Sequence, residues 1–202
     1  MIRPGDEWGG VGIVPVDTPV VESDAQLAAV VRRHLDRGDP VPLVGLAGGD
    51  LCRTLGGRGD IAGRRGGEAT IVDVDLGVVR VGEMTDVFVA HLVARRRGWR
   101  GPFAVVMNAE YLGALRLAPR GHPGDSRFDL TEGSLPWRDR LMARQRARTG
   151  DHLPHPALRT RRVEAVTLSF ARPVCIRLDG RRWTTGRTVE ITRHDRTVRI
   201  AV

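Results

Sequence analysis

The sequence predicts an α+β protein, predominantly β: an antiparallel β-sandwich preceded by a small α/β piece and interrupted by one inserted helix. Three observations carry this reading. An apolar strand, a capped amphipathic helix and a second apolar strand follow one another before Asp50. From Thr70 onward, β-branched segments bounded by turn residues recur at the regular spacing of a sandwich. One isolated helical pattern, after Ser134, breaks that series. The Gly- and Arg-rich stretch 58–67 has almost no apolar residue and divides the chain into a truncated α/β segment, 1–60, and a β-sandwich domain, 61–202.

Residues 13–21 carry Pro15 and Pro19, which confines them to an edge strand or an extended lead-in. Ser23 followed three residues later by Gln26 is a capping box. Leu27, Val30, Val31 and Leu35 then recur at helical spacing until Gly38 stops the run. Residues 41–46 make a short apolar strand, and residues 51–55 open a short helix. In the β part, Thr70, Val72, Val74 and Leu76 alternate with Asp73 and Asp75. Further strands are expected at 87–94, 103–108, 127–131, 163–170, 174–178, 188–192 and 197–202. In the inserted helix Ser134 is the expected cap, with Pro136 in the first turn. Trp137, Leu141 and Met142 should face inward, and Arg138, Arg144 and Arg148 outward.

Composition narrows the function classes. Hydrophobic residues make up 41% and charged residues 28% of the 202 residues, which fits neither a membrane-embedded nor a disordered chain. No run of about 18 apolar residues occurs, and the opening Met1-Ile2-Arg3-Pro4 lacks a secretory signal. The expected location is therefore cytoplasmic, peripheral at the inner membrane face if lipid is bound. Cys52 and Cys175 cannot build a disulfide framework and read as small hydrophobes. The formal charge is +8 and all 32 basic residues are arginine, which favours anionic partners or reflects a codon bias. The absence of lysine excludes a Walker-type phosphate loop and Schiff-base chemistry.

Several segments could carry chemistry. In residues 45–56, Gly48, Gly49, Asp50 and Arg53 follow a strand and precede a helical turn. Glycines there allow close backbone approach and free amides can face a phosphate; the plainer reading is a tight turn with Asp50 as N-cap. A long run follows from Val105 through Asn108 to Gly113, then from Leu117 through Arg120, His122 and Asp125 to Leu130. Near the end stands Arg177-Leu178-Asp179-Gly180-Arg181, whose Asp-Gly is also a common hairpin turn. His152 and His155, with His122 or Asp151, have metal-ligand spacing, but Pro154 breaks the helix that would align them, so no metal is expected. His91 lies in an apolar strand and reads as a hydrogen-bonded core or seam residue. Arg95, Arg96, Arg97, Trp99 and Arg100, and the arginines of 138–148, suit a solvated face, an anionic membrane surface or, last, nucleic acid.

Taken together these segments resemble the diacylglycerol kinase family of lipid kinases, related to sphingosine kinases and more distantly to NAD kinases, over about residues 41–202. The resemblance implies a β-sandwich of the kind found in the C-terminal half of those enzymes. Residues 47–56 look like the family's G-T-x-N-D-[FL]-A-R-x-L-G segment, with Gly49 in place of asparagine and Cys52 in place of alanine. Val105–Asn108, Ala118–Gly121 and Asp125–Asp129 look like its strand ending in asparagine, its A-P-x-A loop and its D-G-x-L-D turn. Asp179-Gly180-Arg181 looks like its D-G-E, whose acids deprotonate the lipid hydroxyl. The family's Gly-Gly-Asp-Gly-Thr phosphate loop occurs nowhere, Arg181 replaces the second acid, and Arg120 stands where an aspartate often lies near the metal.

The resemblance thus implies a degenerate member that binds a lipid, an anionic headgroup or a partner without phosphorylating it. Asp179 would be a vestigial base with Asp50 and Asn108 beside it, and Gly48, Gly49, Arg53, Arg120 and Arg181 would contact the substrate or an anion. No cofactor is expected under that reading. The alternative is a lipid kinase completed by a second subunit, which would use ATP and Mg²⁺; a basic nucleic-acid-binding module comes third. An edge strand in the N-terminal piece could pair with a second copy or a partner subunit.

Overall fold

The computed structural model describes residues 9–119, 121–150 and 156–202. Its elements are β1 (Gly10–Ile13), β2 (Val20–Val21), α1 (Asp24–Arg37), β3 (Val44–Leu46), α2 (Asp50–Thr54), β4 (Glu68–Val81), β5 (Met84–Phe88) and β6 (His91–Arg95). There follow β7 (Phe103–Met107), β8 (Tyr111–Leu112), β9 (Leu115–Arg116), β10 (Phe128–Gly133), α3 (Trp137–Arg146), β11 (Leu158–Val163), β12 (Ala165–Leu178) and β13 (Arg181–Ala201). The fold is mainly β with few helices, as the turn-bounded strands predict.

Helix α1 forms where the capping box places it. The Gln26 amide donates to Ser23 Oγ at 3.3 Å, and Gln26 Oε1 accepts the Glu22 amide at 2.7 Å. Leu27 and Val31 are fully buried, and Gly38, in the left-handed region at φ 73°, ends the helix by donating to the Leu35 carbonyl. That buried stripe packs into a core with Leu46, Leu51, Val74, Leu76, Val198 and Ile200. The N-terminal piece and the β part therefore share apolar contacts. They also share a sheet, because β3 runs parallel to β13 through Val44–Ile200 and Gly45–Ala201.

Hydrogen bonding runs along the order β1-β4-β13-β12-β6-β7-β10-β11, with β5 on the free side of β4 and antiparallel pairing along that path. The sheet curls over on itself. Phe88 of β5 and Phe128 of β10 lie far apart along that path, yet their ring centroids are 5.4 Å apart. The core between the two facing halves adds Leu92, Val106, Leu130 and Ile176, all fully buried. Gly77 makes this closure possible: a Cβ there would stand 2.1 Å from Phe88 Cζ, so the ring occupies the space a side chain would take.

Four local expectations are corrected. The strand expected at 87–94 is broken between β5 and β6, where Val89 and Ala90 turn their amides toward another chain segment. Asp75, placed on the polar face by alternation, is 1% exposed because the loop at 123–126 covers it, the Pro123 carbonyl taking its amide and its carboxylate taking the Ser126 amide. The inserted helix starts after Pro136 without a side-chain cap, rather than at Ser134. Leu141 and Met142 face solvent at 64% and 54% exposure, because α3 lays its small residues Ala143 and Ala147 against the body instead. The side chains of Trp137 and Arg144, together with Arg120, Asp151, His152 and His155, lie outside the described residues.

Candidate functional site

Asp179 and Gly180 form the two-residue turn between β12 and β13, both in the left-handed region at φ 47° and 78°. Aspartate is one of the few residues with a Cβ that accepts this conformation readily. The turn delivers the Asp179 carboxylate onto the break between β5 and β6. Its Oδ2 accepts the Val89 amide at 3.0 Å, and its Oδ1 accepts those of Ala90 at 2.8 Å and His91 at 3.0 Å. The side chain thereby satisfies the three amides that the strand break leaves without ladder partners.

A second acidic group assembles beside it around the start of α2. Gly49 stands at φ 100° with no side chain to cap the helix; Asp24, from the first turn of α1, does so from outside. Asp24 Oδ2 accepts the Asp50 amide at 2.7 Å and Oδ1 the Leu51 amide at 3.2 Å. A Cβ on Gly49 would lie 2.4 Å from Asp24 Oδ1, which explains glycine where the resembling segment carries asparagine. Asp50 in turn accepts the Gly113 amide on both oxygens, at 3.0 and 2.9 Å, and lies 3.0 Å from His91 Nε2. His91 is 3% exposed, and its buried Nδ1 has no hydrogen-bond partner among the described residues.

The remaining sequence-nominated residues take mixed places. Asn108, 1% exposed, braces β4 against the β5–β6 break by donating from Nδ2 to the carbonyls of Asp75 at 2.8 Å and Val89 at 2.7 Å, and its buried Oδ1 has no hydrogen-bond partner among the described residues. Arg53 stacks 3.8 Å over the Tyr111 ring and donates to the Gly113 carbonyl. Gly48 meets the Glu22 carbonyl, 2.5 Å from where its Cβ would be, so it serves close packing on the segment before α1. Arg181 is drawn away from Asp179 onto Asp86 at 2.7 Å, a buried acid that also binds Arg32 at 2.6 Å.

Burial dominates the protonation of this cluster. It lifts Asp24 to about 6 against the two amides that stabilise its charge. It also raises Asp179, opposed by His91 and the three amides. For His91 burial works against the charged ring, but the hydrogen bond to Asp50 and the charges of Asp179, Asp50 and Asp24 outweigh it, so its pKa lies above the ordinary value. The Asp50 carboxylate can only accept, so Nε2 is the His91 nitrogen placed to donate to it.

The atoms of Asp24, Asp50 and His91 lie within 4.8 Å of one another, close enough to surround a cation. Hydrogen bonds already hold the group together as it stands. A metal there would need His91 as a neutral imidazole and would share the carboxylate oxygens with the hydrogen bonds they already accept. Here each oxygen of Asp24, Asp50 and Asp179 already accepts a hydrogen bond, and His91 carries its proton toward Asp50. Sequence reasoning missed Asp24, Asp86 and Asp75. Asp24 gave only the signal of an acid in a first helical turn, which reads as an ordinary dipole partner.

No protein-family profile and no curated protein sequence matches the chain. Solved structures do. A diacylglycerol kinase from Bacillus anthracis str. Sterne superposes with a TM-score of 0.54 at 13% identity, covering 79% of this chain and 66% of that one. Two further structures from the same organism, described as candidate diacylglycerol kinases, superpose with a TM-score of 0.58 at 12% identity. They cover 79% of this chain and 68% and 69% of theirs, so this chain spans about two thirds of the length of the proteins it resembles. The chain has the fold of diacylglycerol kinase-like proteins.

Proposed function

We propose that this protein is a catalytically silent relative of the lipid kinases that binds anionic lipid and does not phosphorylate it. The observation that carries the reading is the state of Asp179. A general base must present a free lone pair within about 2.6–3.2 Å of a substrate hydroxyl. The Asp179 carboxylate is 7% exposed and spends its oxygens on three backbone amides, which supports a structural role for it. Arg181, where the resembling motif has its second acid, faces Asp86 instead. The net charge of +8 supports an anionic ligand.

The test is phosphoryl transfer from labelled ATP with Mg²⁺ to diacylglycerol in mixed vesicles, alongside thermal unfolding with each ligand. No transfer is expected, ATP–Mg²⁺ should leave the melting temperature unchanged, and anionic vesicles should bind. Label transfer that disappears in Asp50→Asn would overturn the reading in favour of an active kinase.

A further inference from the structure

The β6–β7 connection is a stretch of unneutralised charge. Arg95, Arg96, Arg97 and Arg100 follow one another around Gly98 and Trp99, and among the described residues none of the four forms an ion pair. Arg96, Arg97, Gly98 and Arg100 line an open cleft of about 470 Å³. The loop is shaped rather than loose. Gly98 and Trp99 both take left-handed backbone at φ 66° and 57°, and the Trp99 ring is held edge-on to Phe103 at 5.1 Å, with the Arg95 guanidinium 4.9 Å from its centroid.

Helix α3 is tied to this loop. Arg140 Nη1 donates to the Gly98 carbonyl at 3.0 Å, and its Nε donates to the Leu135 carbonyl at 2.7 Å. The face of α3 turned to solvent carries Leu141 and Met142, at 64% and 54% exposure, with the exposed Arg138 and Arg146 three to five positions away. Asp139 is the single acid in the sequence of α3. A soluble helix normally turns its leucine and methionine inward, so this one has its apolar pair on the outside beside a field of positive charge.

We infer that the β6–β7 loop and the outer face of α3 together form a docking surface for an anionic lipid bilayer. The inference rests on the lipid-binding reading above and says where that contact is made. Two exposed apolar side chains with Arg138 and Arg146 on the same helix, and a basic loop tied to that helix through Arg140, match the layered chemistry of a membrane interface, headgroup phosphates over acyl chains. The same surface is a poor match to nucleic acid. Trp99 is already engaged with Phe103 and the Arg95 guanidinium rather than set out for a base, and phosphates have no use for Leu141 and Met142.

The experiment is co-sedimentation of the full chain with phosphatidylcholine vesicles, with and without phosphatidylglycerol, at about 0.1 M and about 0.5 M salt. Binding should require phosphatidylglycerol and weaken at high salt. Arg96→Gln/Arg97→Gln/Arg100→Gln should lose on the order of a hundredfold in affinity, since each surface arginine contributes close to fivefold. Leu141→Gln/Met142→Gln should also weaken binding, and the loss should persist at high salt. All of these positions are solvent-facing, and unchanged unfolding midpoints will establish that both variants are folded. If wild type ignores anionic vesicles, the lipid-binding reading itself fails. If wild type binds and the triple variant binds equally well, lipid binding stands and the surface is elsewhere. Tight binding to a duplex oligonucleotide with none to vesicles would overturn both.

Discussion

Asp179 and His91 hold each other by the backbone and the side chain at once: Asp179 Oδ1 accepts the His91 amide at 3.0 Å, while the His91 carbonyl accepts the Asp179 amide at 2.9 Å. The β12–β13 turn is thereby clamped onto the first residue of β6, and the acid that resembles a kinase base becomes part of the sheet's hydrogen bonding.

Replacing that carboxylate should therefore be felt in stability. Asp179→Ala leaves three buried amides without acceptors and puts alanine at a positive φ, so it should lower unfolding stability by about 3 kcal/mol or more. Asp179→Asn keeps the backbone preference and one acceptor oxygen and should lose roughly half as much. Urea unfolding midpoints measure both; an Asp179→Ala protein as stable as wild type would show that the clamp does not matter.

The buried acids set a direction for pH dependence. Asp24 titrates at about 6 in the fold against 3.8 in an unfolded chain, so the folded state binds more protons through that window and stability falls as pH rises through it. His91, raised above 6.5, stabilises fully below that value and loses its contribution as pH climbs past its folded pKa. Both act in one direction. The melting temperature should drop by roughly 5 °C between about pH 5 and pH 8, and Asp24→Asn should flatten the lower part of the profile. Stability that increases over this range would contradict the assignment.

Gly49 is expected to be intolerant. Alanine there would place Cβ 2.4 Å from Asp24 Oδ1 at φ 100°, displacing the carboxylate that caps α2. Gly49→Ala should cost about 2 kcal/mol or more, whereas alanine at Gly63, which has open space around its Cβ position, should be nearly neutral. Thermal melts of the pair decide it, and equal melting temperatures would count against the cap.

Restoring the acid of the resembling motif should not restore chemistry. Arg181→Glu would remove one of two arginines from Asp86 and set a carboxylate near it, with a loss of about 1 kcal/mol in stability. Phosphoryl transfer to diacylglycerol should stay at background. Activity gained by this single change would mean that the site had been one residue from competence.

Much of the fold was legible because its signals are local. Ser23, Gln26 and Gly38 bracket α1 through contacts four residues apart or fewer, and the Asp179-Gly180 pair reads as the hairpin turn it is. The order of motifs also pointed to the diacylglycerol kinase-like fold. The exposure of Leu141 and Met142 was not legible. Their spacing fits a buried stripe, and only the packing of Ala143 and Ala147 decides which side of α3 faces in.

The sequence by itself determined the bounds of α1, the Asp179-Gly180 turn, that the protein is mainly β, and that its charge is strongly positive, because caps, turns and alternation act over a few residues. Tertiary structure alone decided that Asp24 caps a helix 26 positions away, that Asp179 closes a break in a distant strand, and that Arg181 turns to Asp86. Each of these depends on which segments the curled sheet brings within 3 Å of one another, and no local pattern of residues encodes that juxtaposition.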